Sequence, residues 1–509
     1  MTGLTGSTGL KTWFLLDPVY PVNPVKNSSD FSPSPTIGAG DLEHSMDLTP
    51  RPTRRAAIRS MVGGSLLFPG IVSQLLAAEE RRATDADPLA PKKPHFAPKA
   101  KRVIFLFSTG GVSQMDTFDP KPKLFAADGK TLGVGGGLSL EKRPLLKPRW
   151  AFKPGGKCGT QVSDLFPHIR ERMDDVCLIR SMSTDNNEHF QATLAIHTGS
   201  FFAARPSIGS WVSYGLGTVN QNLPSFVVIA PQLPYAGTQV FANDFLPAYH
   251  QGTRVLPGKE PVPNVKRQPG TDALQELELG FADALNKTHL KTHGHDGDMA
   301  ARIRSFETAF KMQFEAPEAF DLSKETDATL DLYGVNRADT ESFGWQCLIA
   351  RRLAERGVRF IELIDGSSAK NWDSHGDMGE HEPLAKRIDK PIAGLLADLK
   401  RLGMLDDTLV VWTTEFGRTP GQDGTKGRGH HPACFSSWIA GGGIKPGIAY
   451  GATDDIAATV IEKKVHVHDF HATLLHLLGL DHEKLTYRHA GRDFRLTDVH
   501  GNVVKDILK

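Results

Sequence analysis

Residues 342–375 read SFGWQCLIARRLAERGVRFIELIDGSSAKNWDSH, a helix pattern followed by a strand pattern and a loop with metal-binding side chains. In the first part, apolar residues recur on one helix face, and Gly357 stands where such a helix would end. The apolar run GVRFIELI (357–364) is typical of a strand buried at the centre of a parallel sheet. This stretch therefore predicts a helix that leads into a central strand.

Similar apolar runs recur along the chain and predict further strands of the same sheet. They are KRVIFLF (101–107), DVCLIRS (175–181), PSFVVIA (224–230), DTLVVWTTE (407–415) and CFSSWIAGG (434–442). Helix patterns separate several of them, including residues 382–403, which end at Gly403. This alternation predicts an α/β fold, a three-layer α/β/α sandwich with a mixed, mainly parallel sheet. The stretch from about 231 to 335 lacks clear strand patterns and is expected to be an insertion or cap.

The composition is that of an ordinary soluble protein, because 39% of the 509 residues are apolar and 23% are charged. Lys and Arg total 59 against 58 for Asp and Glu, which gives a formal net charge of +1. Such a balance provides no basic field, so we expect no nucleic-acid partner.

A targeting signal is expected near the N-terminus, where Arg54 and Arg55 precede the weakly apolar stretch Met61–Ala78. This arrangement resembles a twin-arginine export signal, and a short buried or anchoring helix is the alternative. The sequence predicts a disordered segment or misread start at 1–45, the signal at 46–80, a proline-rich linker at 81–100 and the folded domain at 101–509. The protein would then be exported, periplasmic or extracellular, and would meet a membrane only through an uncleaved signal.

The cysteines offer two interpretations. Cys158, Cys177, Cys347 and Cys434 show no CxxC spacing. Export would permit two disulfides in one of three connectivities, whereas buried free thiols are the alternative.

Acidic and imidazole side chains follow the predicted strands, at the edge of an open α/β sheet where ligands gather. The candidate metal ligands are Asp116, Asp373, His375, Glu415, His430 and His431. Mixed carboxylate and imidazole ligation suits a divalent transition metal, with Zn or Mn favoured and one or two ions expected. The alternative for any one of them is a structural role, such as a helix cap, an ion pair or a packed histidine.

Several motifs in residues 101–509 resemble a known family. They are GGVSQMDTFDPKP, SIGSWVSYGLGT, CLIARRLAERGVRFIEL, NWDSH, EFGRTP, GRGHHP and AGRDFRLTDV. They are similar to domain of unknown function 1501, a bacterial family common in planctomycetes and grouped with alkaline-phosphatase-like and sulfatase-like hydrolases. The resemblance implies an alkaline-phosphatase-like fold and a site for one or two metal ions.

The same resemblance implies roles for individual residues. Asp373, His375 and one of His430 or His431 match one metal site of that superfamily. Asp116 could supply an early acid to a second metal, but the later Asp-His pair is replaced by Glu415-Phe416, so one imidazole is missing.

The nucleophile of that superfamily is a Ser, a Thr or a modified Cys at a helix start. The segment SMSTDNNEH (181–189) offers Ser183 and Thr184 there, and capping of the helix is the alternative role for both. Arg418 or Arg428 would offset developing negative charge.

These observations indicate an exported, metal-dependent hydrolase of phosphate or sulfate esters. Its partner would be a small anionic ester or a sulfated or phosphorylated glycan. The alternative is a catalytically inactive exported binding or scaffolding protein that keeps the fold.

Overall fold

The computed structural model describes residues 88–131, 143–263, 265, 272–293 and 297–509. The predicted signal, with Arg54 and Arg55, and the segment before it lie outside the described residues, as does the predicted linker up to residue 87. The described residues belong to one compact unit, Glu79–Lys509.

A nine-stranded sheet forms the middle of this unit. Its strands are β1 (Arg102–Ser108), β4 (Val176–Ser183), β5 (Phe226–Ile229), β6 (Thr253–Val255), β7 (Phe360–Asp365), β8 (Thr408–Thr413), β11 (Phe435–Gly441), β12 (Ile448–Tyr450) and β15 (Val465–His466). The order is β12-β4-β11-β8-β1-β7-β5-β6, and β15 also pairs with β4. All six predicted strands lie in this sheet.

The sheet is mixed and mainly parallel, as predicted. β1 lies between β7 and β8 and runs parallel to both. β11 is antiparallel to its two neighbours, β4 and β8, so β4 points the same way as β1. The carboxyl ends of β1, β4, β7 and β8 therefore meet at one edge of the sheet.

Helices cover both faces of the sheet. They are α1 (Gln114–Thr117), α2 (Pro122–Ala126), α3 (Pro167–Arg170), α4 (His189–Thr198), α5 (Ile208–Leu216), α6 (Asp272–His293), α7 (Gly297–Phe320), α8 (Asp327–Tyr333), α9 (Phe343–Glu355), α10 (His381–Arg401) and α11 (Val467–Leu477). Side chains of β1 alternate between the faces: Ile104 and Leu106 pack with α9 and α10, whereas Phe105 and Phe107 pack with α4, α5 and α11. The predicted three-layer sandwich is thus confirmed.

Smaller elements surround the sandwich as two-stranded ribbons. They pair β2 (Phe152–Gly155) with β3 (Thr160–Ser163), β9 (Gly417–Asp423) with β10 (Gly427–His431), β13 (Ala452–Thr453) with β14 (Val460–Glu462), and β16 (Tyr487–His489) with β17 (Arg492–Phe494). The region predicted as an insertion or cap contains β6, a strand of the main sheet, together with α6, α7 and α8. Met312 and Ala316 of α7 join the core on the α9 face.

All four cysteines are free thiols, with Cys158 exposed and the other three buried. Of the two interpretations left open by the sequence, the structure supports free thiols. None of the described helices combines the length and the apolar composition that crossing a membrane requires.

Candidate metal centre

Acidic and imidazole side chains from distant parts of the chain meet at the carboxyl edge of the sheet. Glu415 follows β8, and Asp373 and His375 lie in the loop after β7. His189 opens α4, and His430 lies in β10. Because β4, β7 and β8 end at the same edge, the fold brings together segments that are more than 200 residues apart.

Asp373 is the centre of the cluster. Its Oδ1 lies 3.0 Å from His375 Nε2, 3.2 Å from His430 Nε2 and 2.6 Å from a guanidinium nitrogen of Arg418. Its Oδ2 lies 3.2 Å from His189 Nε2. The three imidazoles therefore all direct Nε2 at one carboxylate.

The hydrogen bonds of the imidazoles assign their tautomers. Each Nδ1 lies against an oxygen: His189 on Glu415 Oε1 at 2.7 Å, His375 on Asp423 Oδ2 at 2.6 Å, and His430 on the Asn187 carbonyl at 2.7 Å. A carboxylate or a carbonyl can only accept, so Nδ1 carries the proton in each neutral ring. Each Nε2 then holds a bare lone pair that faces Asp373.

A converging set of lone pairs is unfavourable without a cation and is the arrangement that a metal site needs. His375 Nε2 and His430 Nε2 are only 2.9 Å apart, although neither has a proton to donate in its neutral form. One ligand atom from each of His189, Asp373 and His430 lies within 4.8 Å of the others. Nitrogen and carboxylate ligands whose outer nitrogens are fixed by acceptors fit a divalent transition metal.

The charges of the cluster favour a cation. In the metal-free protein a proton can lie between Nε2 and Asp373; although burial raises the pKa of Asp373, such hydrogen bonds with His189 and His430 and the charge of Arg418 outweigh burial and hold that pKa well below its ordinary value. Burial lowers the pKa of His189, but hydrogen bonds with Asp373 and Glu415 outweigh it and raise that pKa. Since Asp373 stays ionised, a metal ion would occupy the position that a proton otherwise takes on His189.

The cluster is open to ligands on one side. The side chain of His189 is 9% exposed, that of His430 is 17% exposed and that of His375 is 42% exposed. Tyr235 covers His189, with ring centroids 4.1 Å apart and planes within 10°. Burial raises the pKa of Tyr235 to about 12, so its hydroxyl keeps a proton beside the cluster.

The turn after β1 is locked to the cluster through Gly110. Its N–H donates to Glu415 Oε1 at 2.8 Å, and its carbonyl accepts from Arg418. Its φ of +111° lies in the region that favours glycine, and a Cβ would lie 2.6 Å from Trp372 N and 2.8 Å from Asp373 N. Only glycine lets the two loops approach this closely.

Arg418 has a positioning role in this arrangement. Its guanidinium is fully buried and donates to Gly111 O at 2.7 Å, to Arg428 O at 3.2 Å and to Asp373. The structure thus directs Arg418 at Asp373 and at the turn after β1. Its predicted action on substrate charge stays a prediction.

The structure does not bring three of the predicted residues into the cluster. Asp116 is buried in an ion pair with Arg428, whose Nε lies 2.8 Å from Asp116 Oδ2. Arg428 donates its other hydrogen bonds to the carbonyls of Leu146, Thr419 and Pro420. His431 is buried with its Nε2 2.9 Å from Ala458 O, and burial lowers its pKa to about 4.

The two candidate nucleophiles lie at the end of the strand that leads to His189. Ser183 ends β4, and Thr184 donates its backbone N–H to Pro432 O at 3.0 Å. Both side chains are buried, and neither hydroxyl has a hydrogen-bond partner among the described residues. Glu188 occupies the N-cap of α4, so neither hydroxyl caps that helix.

Sequence reasoning missed part of the set. The segment SMSTDNNEH offers His189 beside Ser183 and Thr184, but the sequence does not predict it as a metal ligand; in the structure it supplies an imidazole beside Glu415, where the sequence indicates that one is missing. Its position at the start of the helix that follows a predicted strand is the available signal. Asp423 and Tyr235 had no signal in the sequence, because a turn and a loop after β5 bring them to the cluster.

Comparisons with known proteins place the sequence in a family. The model of the family described as "Protein of unknown function (DUF1501)" matches residues 100–508. In a search of curated proteins, none matches the sequence.

Three solved structures illustrate the structural similarity. The PsFucS1 sulfatase from Pseudoalteromonas sp. is 14% identical with a TM-score of 0.33, over 81% of this chain and 71% of that chain. The alkaline phosphatase of the Antarctic bacterium TAB5 is 12% identical with a TM-score of 0.27, over 68% and 92%. The lipoteichoic acid synthase LtaP of Listeria monocytogenes is 8% identical with a TM-score of 0.30, over 81% and 79%. At TM-scores this low, the activities of those three proteins are not assigned to this chain.

Proposed function

The chain belongs to the DUF1501 family, and we propose that it is an exported, metal-dependent hydrolase of phosphate or sulfate esters. The substrate is a small anionic ester or an ester group on a sulfated or phosphorylated glycan. The observation that carries the proposal is the convergence of three Nε2 lone pairs on the ionised carboxylate of Asp373.

The residues of the cluster divide into ligands and their supports. Asp373, His189, His375 and His430 would hold the metal, a Zn or Mn ion. Glu415, Asp423 and the Asn187 carbonyl fix the three rings through Nδ1. When bound, such an ion polarises an ester oxygen and lowers the pKa of a bound water.

An oxygen nucleophile must reach the ester beside the ligands. The segment from Ser183 to His189 borders the cluster, since His430 bonds the carbonyl of Asn187. A buried hydroxyl without a hydrogen-bond partner destabilises the fold by roughly 1–3 kcal/mol. A catalytic function for Ser183 or Thr184 would explain why such a hydroxyl is present at this position. We therefore propose one of these hydroxyls as the nucleophile, with water as the competing possibility.

Turnover on aryl phosphates and aryl sulfates, measured with metal content on the same preparations, tests the proposal. If a hydroxyl attacks, the Ser183→Ala or the Thr184→Ala variant is expected to lose at least about 10²-fold in kcat, because covalent catalysis through that oxygen is gone. The same variant keeps its metal and still binds vanadate. Ser200→Ala, which changes a partly exposed residue in the loop beyond α4, serves as the control.

Each outcome of this experiment decides between mechanisms. Full activity of both variants would assign the attack to water and contradict the nucleophile proposal. If the wild type retained metal but hydrolysed neither ester class, the proposal that the protein is an enzyme would be wrong.

One observation favours the second candidate, an inactive metal-containing binding protein. Both Arg418 and Arg428 are fully buried and donate to protein oxygens, so their charges serve the fold. Neither then faces a substrate at the cluster. A binding protein would retain anions at the metal without converting them.

Export is a separate part of the proposal, and it rests on Arg54 and Arg55 ahead of an apolar stretch. Changing both residues to Lys is expected to hold the protein in the cytoplasm, because the arginine pair identifies the signal. Fractionation followed by immunoblotting measures the change, and Arg51→Lys is the matched control. Unchanged export of the double variant would contradict the twin-arginine assignment.

A further inference from the structure

A cavity whose walls share two loop segments with the candidate metal centre is not used by the proposed reaction. It has a volume of about 450 Å³, which is within the range of small-molecule sites. Its walls come from the N-terminus of α9, from one side of α10 and from the segments after β5 and β7. Those last two segments also carry Tyr235 and Asp373, so the cavity and the metal centre share their loops.

One wall presents hydrogen-bonding groups that lack protein partners. Gln346 is only 4% exposed and lines the cavity, yet its Oε1 accepts no hydrogen bond within the described part of the chain. Ser342 caps α9 by accepting from Trp345 N at 3.1 Å. The N–H groups of Phe343 and Gly344 have no acceptor among the described residues and line the same wall. A buried amide without a partner points to a ligand that supplies one.

The opposite wall is basic. Lys386, Arg387 and Lys390 of α10 all line the cavity. Arg387 pairs with Asp365, and Lys390 lies 3.2 Å from the exposed carboxylate of Asp331. Lys386 forms no ion pair with a described residue. Together with the positive end of the α9 dipole, this wall favours a negatively charged ligand.

The two walls together define the ligand. A negative group fits between the lysines and the N–H groups of α9, and a hydroxyl group fits the vacant acceptor of Gln346. Glu341 adds a second acceptor at the rim of the cavity. A sugar residue that carries a sulfate, phosphate or carboxylate group offers both features in a molecule of the right size.

We propose that this cavity binds an acidic sugar residue of a polyanionic glycan, next to the ester that reaches the metal centre. The inference rests on the proposed function in one respect, since it takes the sugar residue in the cavity and the ester at the metal centre to be parts of one glycan. The shared loops support this connection: Gly366 lines the cavity and packs on Asn371, whose amide donates to the Tyr235 hydroxyl at 2.9 Å.

Binding of galactose 6-sulfate to the full-length protein, measured by calorimetry in excess EDTA, tests the cavity without the metal. Saturable binding is expected, with galactose bound much more weakly. The Lys386→Ala/Lys390→Ala variant is expected to bind about tenfold or more weakly, because charge-assisted hydrogen bonds are lost. Lys123→Ala/Lys484→Ala, which changes two exposed lysines in surface ion pairs elsewhere, is the matched control.

A second variant tests the recognition of the sugar hydroxyl separately from the recognition of the charged group. Gln346→Met keeps the volume of the side chain and removes the amide. It is therefore expected to lower the affinity for galactose 6-sulfate and to leave the affinity for inorganic sulfate unchanged. Equal binding by the lysine variant and its control would overturn the proposal, as would equal binding of galactose and galactose 6-sulfate. Because the metal is removed throughout, failure of the hydrolase proposal would leave these results intact.

Discussion

Replacement of Asp373 by alanine is expected to leave the purified protein without stoichiometric metal and without turnover. Among the residues that the structure describes, Asp373 is the one carboxylate that contacts all three imidazoles of the cluster. Its removal deletes a ligand together with the negative charge on which the three Nε2 atoms converge, so the remaining imidazoles would hold an ion weakly. Metal content by mass spectrometry and affinity by chelator competition measure the loss.

A graded series sharpens this prediction. Asp423→Ala removes the acceptor that fixes His375, together with the ion pair between Asp423 and Arg143, and such outer partners typically contribute about 10–100-fold in metal affinity. Asp373→Ala is expected to lower the metal affinity by more than that factor. Asp377→Ala in the same loop is the control, because Asp377 pairs with Arg149 and lies outside the cluster. Normal metal content in the Asp373 variant would contradict the site.

Replacement of Arg418 by methionine is expected to lower both the stability of the fold and the affinity for metal. The guanidinium is 0% exposed and holds Asp373 and the carbonyls of Gly110 and Gly111. Removing one partner of a buried ion pair costs about 3–5 kcal/mol, since the other partner loses its compensation. Unfolding in urea, with metal and with EDTA, measures the change.

Arg428→Met is the matched comparison for Arg418→Met. Arg428 is equally buried and has its own carboxylate partner, Asp116, outside the cluster. We expect a similar loss of stability from this variant but unchanged metal affinity in the folded protein. If both variants lowered metal affinity equally, the specific positioning role of Arg418 would be wrong.

The sheet was predictable from the sequence because its strands are buried on both faces. The parts VIFLF of KRVIFLF and LVVW of DTLVVWTTE are apolar without a break, and they lie in β1 and β8. β6 escaped prediction because TRV is short and lies at the sheet edge, where little burial is required.

The candidate site was predictable only in part, for a similar reason. Asp373, His375, Glu415 and His430 follow strands or lie in a motif, and the parallel order of the sheet brings them together. Asp116 follows β1 in the same way but turns inward to Arg428, a contact set by the β9–β10 hairpin. Chain positions relative to strands predict where a loop goes, whereas the direction of each side chain depends on partners far away in sequence.

The position of β1 in the sheet has a consequence for how the protein is made. Residues of β1 pair with β7 and β8, which emerge about 260 and 300 residues later. At a synthesis rate of about 5–20 residues per second, β8 appears roughly 15–60 s after β1. Until both partners have emerged, the ribosome-bound chain displays an apolar RVIFLFS segment with at least one unpaired edge, a template for aggregation. Chaperone holding of the nascent chain should therefore govern the yield of soluble protein, and shortening the chain before β8 should make this dependence permanent.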